Sequence, residues 1–318
     1  MMPSFHSGFA PDIQNMMEWR GTLGYAAYCY TWELTDFDRY CCKVFPGTDI
    51  LTWDIVLSWL NAIRDRRDVR IPVAAIRNLG KYQIMLGKNA CLFPANYFSY
   101  KKRRMPYMMS DHECRRFFDA ADNYPHDKHN PLLTYTVATF FRLQFSTGMR
   151  PQEVRHLTRH DFDFIHDTIY IADSKRHKDR CIAVRHSVME MCKRYDAIAR
   201  SLYPDTNVFF PSRNRKEHSA ESILLFFRKC WKRAGNPNPD DSEYCTPYIL
   251  RHNFATRRIT EWMEEGKDFG QYMPYLSTYM GHQTFSETCY YLHFMPERLS
   301  RMGYMDISDI VSEVDHEK

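Results

Sequence analysis

Between residues 161 and 184 the apolar side chains fall at steps of two, whereas in the segments on either side they fall at steps of three and four. A chain with one short period-two island lacks the strands for a sandwich or barrel, which leaves a small sheet set among helices. Within the island, Phe162/Phe164 and Ile169/Ile171 are separated by His166-Asp167, and a basic turn from Ser174 to Lys178 leads into Cys181-Ile182-Ala183-Val184-Arg185. That pattern predicts about three antiparallel strands. Before the island, Trp53, Val56, Leu57, Leu60 and Ile63 form one helical stripe, preceded by a Pro46-Gly47 stop and a Thr48-Asp49 cap. A further helix is predicted from Pro72, a favoured first-turn residue, to Gly87. Residues 1–17 read as a poorly structured lead-in and 18–100 as a helical lobe. The fold class is mainly α, with a helical N-terminal domain and a second α-helical domain carrying a small antiparallel β-sheet.

At 318 residues, with 44% hydrophobic and 15% aromatic residues, the chain suffices for two packed domains. Their boundary is predicted in residues 96–106, where Lys101, Lys102, Arg103 and Arg104 interrupt the apolar periodicity. No window approaches the eighteen uncharged apolar residues of a membrane span, and the first residues do not resemble a signal peptide, so no membrane association and a cytoplasmic location are expected. Ten cysteines are scattered without any Cys-x-x-Cys, which predicts buried thiols rather than disulfides or a zinc cluster. A net charge of +4 only mildly favours a polyanionic partner. Its distribution says more: basic runs at 101–104, 175–180, 213–216 and 228–233 contrast with an acidic tail. Any single run reads as a solvated face, and the four together favour nucleic acid. Arg77 and Lys81, one helical turn apart with Lys88 near the same angle, form either a DNA-facing stripe or an ordinary wet face.

The close carboxylate pairs, Asp161/Asp163 and Asp240/Asp241, sit at predicted turns or strand starts and read as solvated residues, so neither a metal nor a cofactor is expected. Arginines can neutralise a phosphate instead, because the guanidinium is permanently charged and fork-shaped. Gly148 stops a helix, and Pro151 starts the next, placing Arg150 at its N-terminus with Glu153 in the first turn to orient the guanidinium. Tyr248 and Arg251 lie three apart on the helix after Pro247 and share a face, while His252 reads as a core or capping histidine. Gly281-His282 is followed by Thr284-Phe285-Ser286-Glu287, a capping-box pattern that starts a new helix at Phe285 and carries Tyr290 and Tyr291 on its second turn. Nine residues separate His282 from Tyr291, opposite faces of one unbroken helix, so the break lets the two converge.

Thr147-Gly148-Met149-Arg150-Pro151-Gln152-Glu153, Tyr248-Ile-Leu-Arg251-His252, Gly281-His282 and Tyr291-Leu-His293 together resemble the active site of the tyrosine recombinases, the phage-integrase family, over roughly residues 105–298. The resemblance implies a site-specific DNA recombinase or integrase like those of bacterial mobile elements, cleaving DNA through a 3′-phosphotyrosine link without metal. It implies a core-binding domain at 18–100 and a catalytic domain at 101–298; with a duplex as partner, the Arg77/Lys81 stripe and the basic linker Lys101 to Arg104 are the expected DNA contacts. Arg150, Arg251 and His282 are implied as phosphate ligands and Tyr291 as the nucleophile, with Tyr290 as a packing residue. Lys175, in the hairpin turn, is implied as the acid for the leaving 5′ oxygen, Lys178 being its competitor. Tyr248 departs from the family, which usually has histidine there; a phenol can donate a hydrogen bond to phosphate but is a poor proton shuttle. The same site resembles type IB topoisomerases, and the Tyr248 departure leaves open a decayed DNA-binding relative. Relatives pass tails between subunits, so the apolar Leu299, Met302, Ile307, Ile310 and Val311 in a tail from 299 to 318 imply a tetramer on paired duplex sites, with accessory recombinases as possible partners.

Overall fold

The computed structural model describes residues 4–25, 30–66, 68–95, 97–98, 107–174, 178–237, 245–282 and 284–294. The chain divides into two compact units, residues 1–104 and 105–318. The first contains four helices, α1 (Ala10–Thr22), α2 (Thr31–Val44), α3 (Trp53–Ile63) and α4 (Arg70–Met85). On the stripe expected for α3, Val56, Leu60 and Ile63 are buried and Leu57 is half-buried, but Trp53 is exposed; Trp59, outside that stripe, is fully buried and meets Phe37 edge-on at 5.2 Å between ring centroids. The cap of α3 is Thr52, whose Oγ1 accepts the Ile55 N–H, rather than the Thr48-Asp49 pair.

Residues 4–17 are not a loose lead-in. Asp38 accepts the His6 and Ser7 backbone N–H groups, each at 2.9 Å, and the Ser7 hydroxyl at 2.6 Å, which fixes the entry to α1. Ile13, Met16 and Met17 then bury a short stripe beside Phe9. Three apolar residues are a weak periodic pattern, and the packing of α1 against α4 is what makes this segment helical. Lys88 also departs from the predicted stripe: its ammonium pairs with Asp12 at 2.7 Å and Asp49 at 3.5 Å. Arg77 donates to the Phe93 carbonyl, whereas Lys81 is exposed, and both line a groove with Arg70 and Asn78 along α4. Lys101 to Arg104 lie outside the described residues.

In the second unit, α5 (Asp111–Asp122) starts at the predicted Ser110/Glu113 capping box and α6 (Leu133–Thr147) follows. Next come α7 (Pro151–His156) and a three-stranded antiparallel sheet in the order β1 (Phe162–Asp163), β2 (Thr168–Ser174), β3 (Lys178–Ala183), with Ile169 opposite Ile182. Helices α8 (His186–Leu202), α9 (Ala220–Arg233), α10 (Tyr248–Glu264) and α11 (Phe269–Met280) complete the body. The mainly α class with one small sheet is therefore as predicted. Phe117, Phe140, Phe141, Phe227 and Ile169 are buried in the main core. A smaller core between α10 and α11 gathers Ile259, Met273, Leu276 and Met280, and the ring of Tyr291 belongs to it.

The last described elements are α12 (Phe285–Cys289) and a 3-10 turn over Tyr290–Phe294. Helix α12 begins where predicted, but the capping box does not form, since Thr284 Oγ1 pairs with Ser286 Oγ at 2.8 Å. The tyrosines therefore sit on a tighter 3-10 turn rather than on the second turn of an α-helix. The tail residues Leu299 to Val311 fall outside the described residues. Cys42 and Cys181 are exposed, unlike the buried thiols predicted; Cys41, Cys114, Cys192, Cys230, Cys245 and Cys289 are buried. Among the described residues no helix is long and apolar enough to cross a membrane.

Candidate active site

Two glycines at helix ends organise the site. Gly148 ends α6 and Gly281 ends α11, both with left-handed backbone, at φ of 64° and 65°. Any Cβ there would be strained by that φ. It would also collide, lying 2.3 Å from the Phe254 ring at Gly148 and 2.8 Å from the Arg180 guanidinium at Gly281. Each glycine instead offers its carbonyl to an arginine: Arg251 Nη1 donates to Gly148 O at 2.6 Å and Arg150 Nη2 to Gly281 O at 2.7 Å. Arg251 Nη2 also donates to Met280 O at 2.8 Å. The two arginines are thus fastened to the turn that leads into His282.

Arg150 sits at the start of α7, as predicted, although that helix has only six residues and the Arg150 N–H is taken up by Glu153 Oε2 at 2.8 Å. Glu153 orients the guanidinium as expected, through Arg150 Nη1 to Oε1 at 2.8 Å. It has a second cation as well. Arg180, on β3, places Nη1 and Nη2 on the two carboxylate oxygens at 2.9 and 2.8 Å, and its Nε donates to Tyr279 O. Burial alone would raise the Glu153 carboxyl, but the hydrogen bonds and charge of Arg180, joined by Arg150, outweigh it and hold the pKa down to about 2.

Arg251 is buried, and burial together with the Arg150 charge brings its pKa down to about 10, still cationic at neutral pH. His282 is pushed down to about 3 by burial and by the Arg251, Arg150 and Arg180 charges, so its imidazole is neutral at pH 7. Its Nδ1 is 2.7 Å from the hydroxyl of Thr288, a fully buried residue of α12. The segment carrying the nucleophile candidate therefore also fixes the His282 ring. Tyr291 is 3% exposed, and its ring lies nearly parallel to that of His282, at 20° and 6.1 Å between centroids. Burial raises the Tyr291 phenol above its ordinary value, the Arg251 and Arg150 charges pulling the other way.

Arg150, Arg251, His282 and Tyr291 are thus gathered in one site. Tyr248 is not joined to them: it is 45% exposed, and among the described residues it hydrogen-bonds to none of the four. One helical turn separates it from Arg251, but Arg251 turns inward to carbonyls while the first residue of α10 stays at the surface. Tyr290 packs against Tyr291 at 6.0 Å between ring centroids. Lys175 lies outside the described residues, as do the side chains of Lys178 and His293. Asp161 is taken up by Thr158, and Asp163 binds the loop N–H groups of Ile165 and His166.

His252, read from the sequence as a core or capping histidine, is half-buried and lies against the Tyr291 ring. Its Nδ1 is 3.1 Å from the Tyr291 hydroxyl, with ring centroids 5.6 Å apart. Arg180 was visible in the sequence only as the last residue of the basic run at 175–180. The one sequence cue for His252 is adjacency to Arg251, which puts its side chain about 100° further round the helix.

The family model described as Phage integrase family matches residues 108–298. The integrase/recombinase-type protein y4rE of Sinorhizobium fredii (strain NBRC 101917 / NGR234) is 27% identical over 304 residues, 92% of this chain and 93% of that protein. The tyrosine recombinase XerC of Chlorobaculum parvum (strain DSM 263 / NCIMB 8327) is 22% identical over 221 residues, 63% of this chain and 60% of its own. Among solved structures, the XerH site-specific recombinase bound to a palindromic difH substrate superposes with a TM-score of 0.67 at 18% identity, covering 88% of this chain and 79% of that one. The Tn1549 transposon integrase in complex with circular intermediate DNA gives a TM-score of 0.65 at 15% identity, covering 88% and 94%. These structures share the fold. With the family model spanning more than half the chain and the four site residues drawn together, the chain belongs to the phage integrase family, the tyrosine recombinases, which cleave and rejoin DNA at specific sites through a covalent tyrosine intermediate.

Proposed function

We propose that Tyr291 is the nucleophile, that Arg150, Arg251 and His282 bind the scissile phosphate, and that Lys175 gives a proton to the departing 5′ oxygen. The observation that carries this reading is the gathering of Arg150, Arg251 and neutral His282 around the Tyr291 ring, with both guanidiniums anchored on the turn from Met280 to Gly281. Guanidiniums neutralise the equatorial oxygens as charge grows in the transition state. A neutral imidazole can donate one hydrogen bond without adding a fourth charge. Cleavage forms the Tyr291 O–P bond, breaks the P–O5′ bond and conserves the bond for religation.

The partner is double-stranded DNA. Arg77 and Lys81, with Arg70, are candidate phosphate contacts because they line one groove on α4, and Lys101 to Arg104 are further candidates from their charge. Site-specific exchange needs two duplexes, so self-association into a synaptic tetramer, with or without an accessory recombinase, belongs to this proposal, as does service to a mobile element.

Tyr291→Phe removes one hydroxyl and keeps the ring in its core. It is expected to bind DNA and fold normally but form no covalent adduct, whereas Tyr290→Phe still forms it; an adduct mapped to Tyr290 refutes the assignment. Lys175→Ala is expected to cleave slowly and recover on a 5′-bridging phosphorothiolate, whose sulfur leaves without a proton. Recovery of Lys178→Ala instead reassigns the acid.

A further inference from the structure

An attacking phenol must lose its proton, and the surroundings of Tyr291 restrict where that proton can go. The side chain is 3% exposed, so little of it is open to bulk water. Arg251, Arg150 and Arg180 are cations and have no lone pair to offer. Tyr290 is a second phenol, and Tyr248, at the position where the family usually has histidine, is a phenol at the surface. Among the described residues, two imidazoles flank the Tyr291 ring. His282 has its Nδ1 on the Thr288 hydroxyl at 2.7 Å and no hydrogen bond to Tyr291 among the described residues. His252 has its Nδ1 3.1 Å from the Tyr291 hydroxyl.

We propose that His252 is the proton acceptor that activates Tyr291, an inference that rests on the cleavage reading above. As the Tyr291 oxygen attacks phosphorus, its O–H bond breaks and the proton passes to the lone pair on His252 Nδ1. The P–O5′ bond breaks on the other side, and the 5′ oxygen takes its proton from the acid assigned to Lys175. Religation runs the same transfers backwards, the imidazolium returning its proton to the phenolate as it departs. The transfer requires the tautomer in which Nε2 carries the hydrogen of neutral His252, so that Nδ1 faces the phenol as an acceptor. Helix α10 thereby supplies the phosphate clamp from one residue, Arg251, and the base from the next. This relocates to position 252 a task that a phenol at position 248 performs poorly.

The experiment measures single-turnover cleavage on a duplex selected from a randomised pool by the Tyr291→Phe variant. The phosphate attacked is mapped from the wild-type adduct and then replaced by a 5′-bridging phosphorothiolate. With no proton needed by the leaving sulfur, the remaining pH dependence reports the nucleophile's proton. Wild type is expected to lose rate at acid pH as the imidazole protonates. His252→Gln, which keeps a polar group beside the phenol but cannot take a proton, is expected to slow cleavage by about 10²-fold or more. It should also lose the acid limb and gain rate with rising pH as hydroxide takes over. Added imidazole is expected to restore part of the rate to His252→Ala. A His252→Gln rate within threefold of wild type with the same profile overturns the proposal. So does a wild-type rate that rises as pH falls, which marks the imidazolium as a donor, and that profile decides the matter even if the variants fold poorly. No adduct from wild type on the selected duplex overturns the cleavage reading itself, and the inference with it.

Discussion

Replacing Glu153 by glutamine tests the platform on which the site is built. The carboxylate is 8% exposed and accepts from the Arg150 N–H, Arg150 Nη1 and both terminal nitrogens of Arg180, all between 2.8 and 2.9 Å. Glutamine removes the charge and turns one acceptor into an NH₂ donor facing guanidinium donors. The fall of the carboxyl pKa from 4.5 to about 2 corresponds to roughly 3 kcal/mol favouring the charged form in the folded state. That agrees with the ~3–5 kcal/mol typical of breaking a buried ion pair. Because the folded pKa is depressed, the contribution is fully present above about pH 4.5 and is lost as pH falls through about 2. Glu153→Gln is therefore expected to unfold with about 3 kcal/mol less stability than wild type at pH 7 in urea titration, the gap closing near pH 2. At about 2–4 °C per kcal/mol, this is a melting shift of roughly 6–12 °C. A variant within 1 kcal/mol of wild type at neutral pH, or a gap unchanged at pH 2, refutes the reasoning.

Tyr248→His, at a half-exposed position with room for either ring, is expected to fold normally and to cleave at least as fast as wild type. Tyr248→Phe removes the one hydroxyl through which Tyr248 can donate to a bound DNA phosphate: a slowing of single-turnover cleavage worth about 1–3 kcal/mol marks such a bond, and a wild-type rate shows that Tyr248 has no part in the reaction. Truncation after Arg298 is expected to leave single-site binding nearly intact and weaken synapsis in a gel-shift assay with paired sites; unchanged recombination rules out docking through the tail.

The class of the fold was legible because the period of the apolar pattern changes once, at the hairpin, and the Ser110/Glu113 box marks a helix start chemically. Helix α1 was missed because three apolar residues make a helix only once α4 covers them. The Thr284 pattern pointed to a helix start correctly but to the wrong hydrogen bonds, since a five-residue helix passing into a 3-10 turn leaves the hydroxyl free to pair with Ser286. At the site, Arg150, Arg251, His282 and Tyr291 were legible from residue order. Their anchoring was not, because the acceptors are backbone carbonyls of Gly148, Met280 and Gly281, and a carbonyl has no letter in a sequence. The 248/251 spacing misled for a related reason. It puts two side chains on one side of a helix but does not say which is drawn inward.

The same carbonyls, with that of Tyr279 accepting from Arg180 Nε, explain how three arginines share one small site with a single carboxylate, Glu153, among the described residues. Backbone oxygens accept from the guanidiniums without cancelling their charge, so the hydrogen bonds are satisfied while the positive field remains. The field is visible in its victims: Arg251 is brought down to about 10 and His282 to about 3, each by burial first and by neighbouring arginines next. Such a site favours any group that brings negative charge into it, and a phosphodiester does so in the ground state and more so at the trigonal-bipyramidal transition state. The buried phenol is subject to the same field, since Arg251 and Arg150 oppose the rise that burial imposes on Tyr291. One arrangement of arginines thus lowers the cost of both the phosphorane charge and the phenolate. The proton still needs an acceptor within hydrogen-bond reach, and the imidazole at 3.1 Å, beside the most buried of the three arginines, meets that requirement.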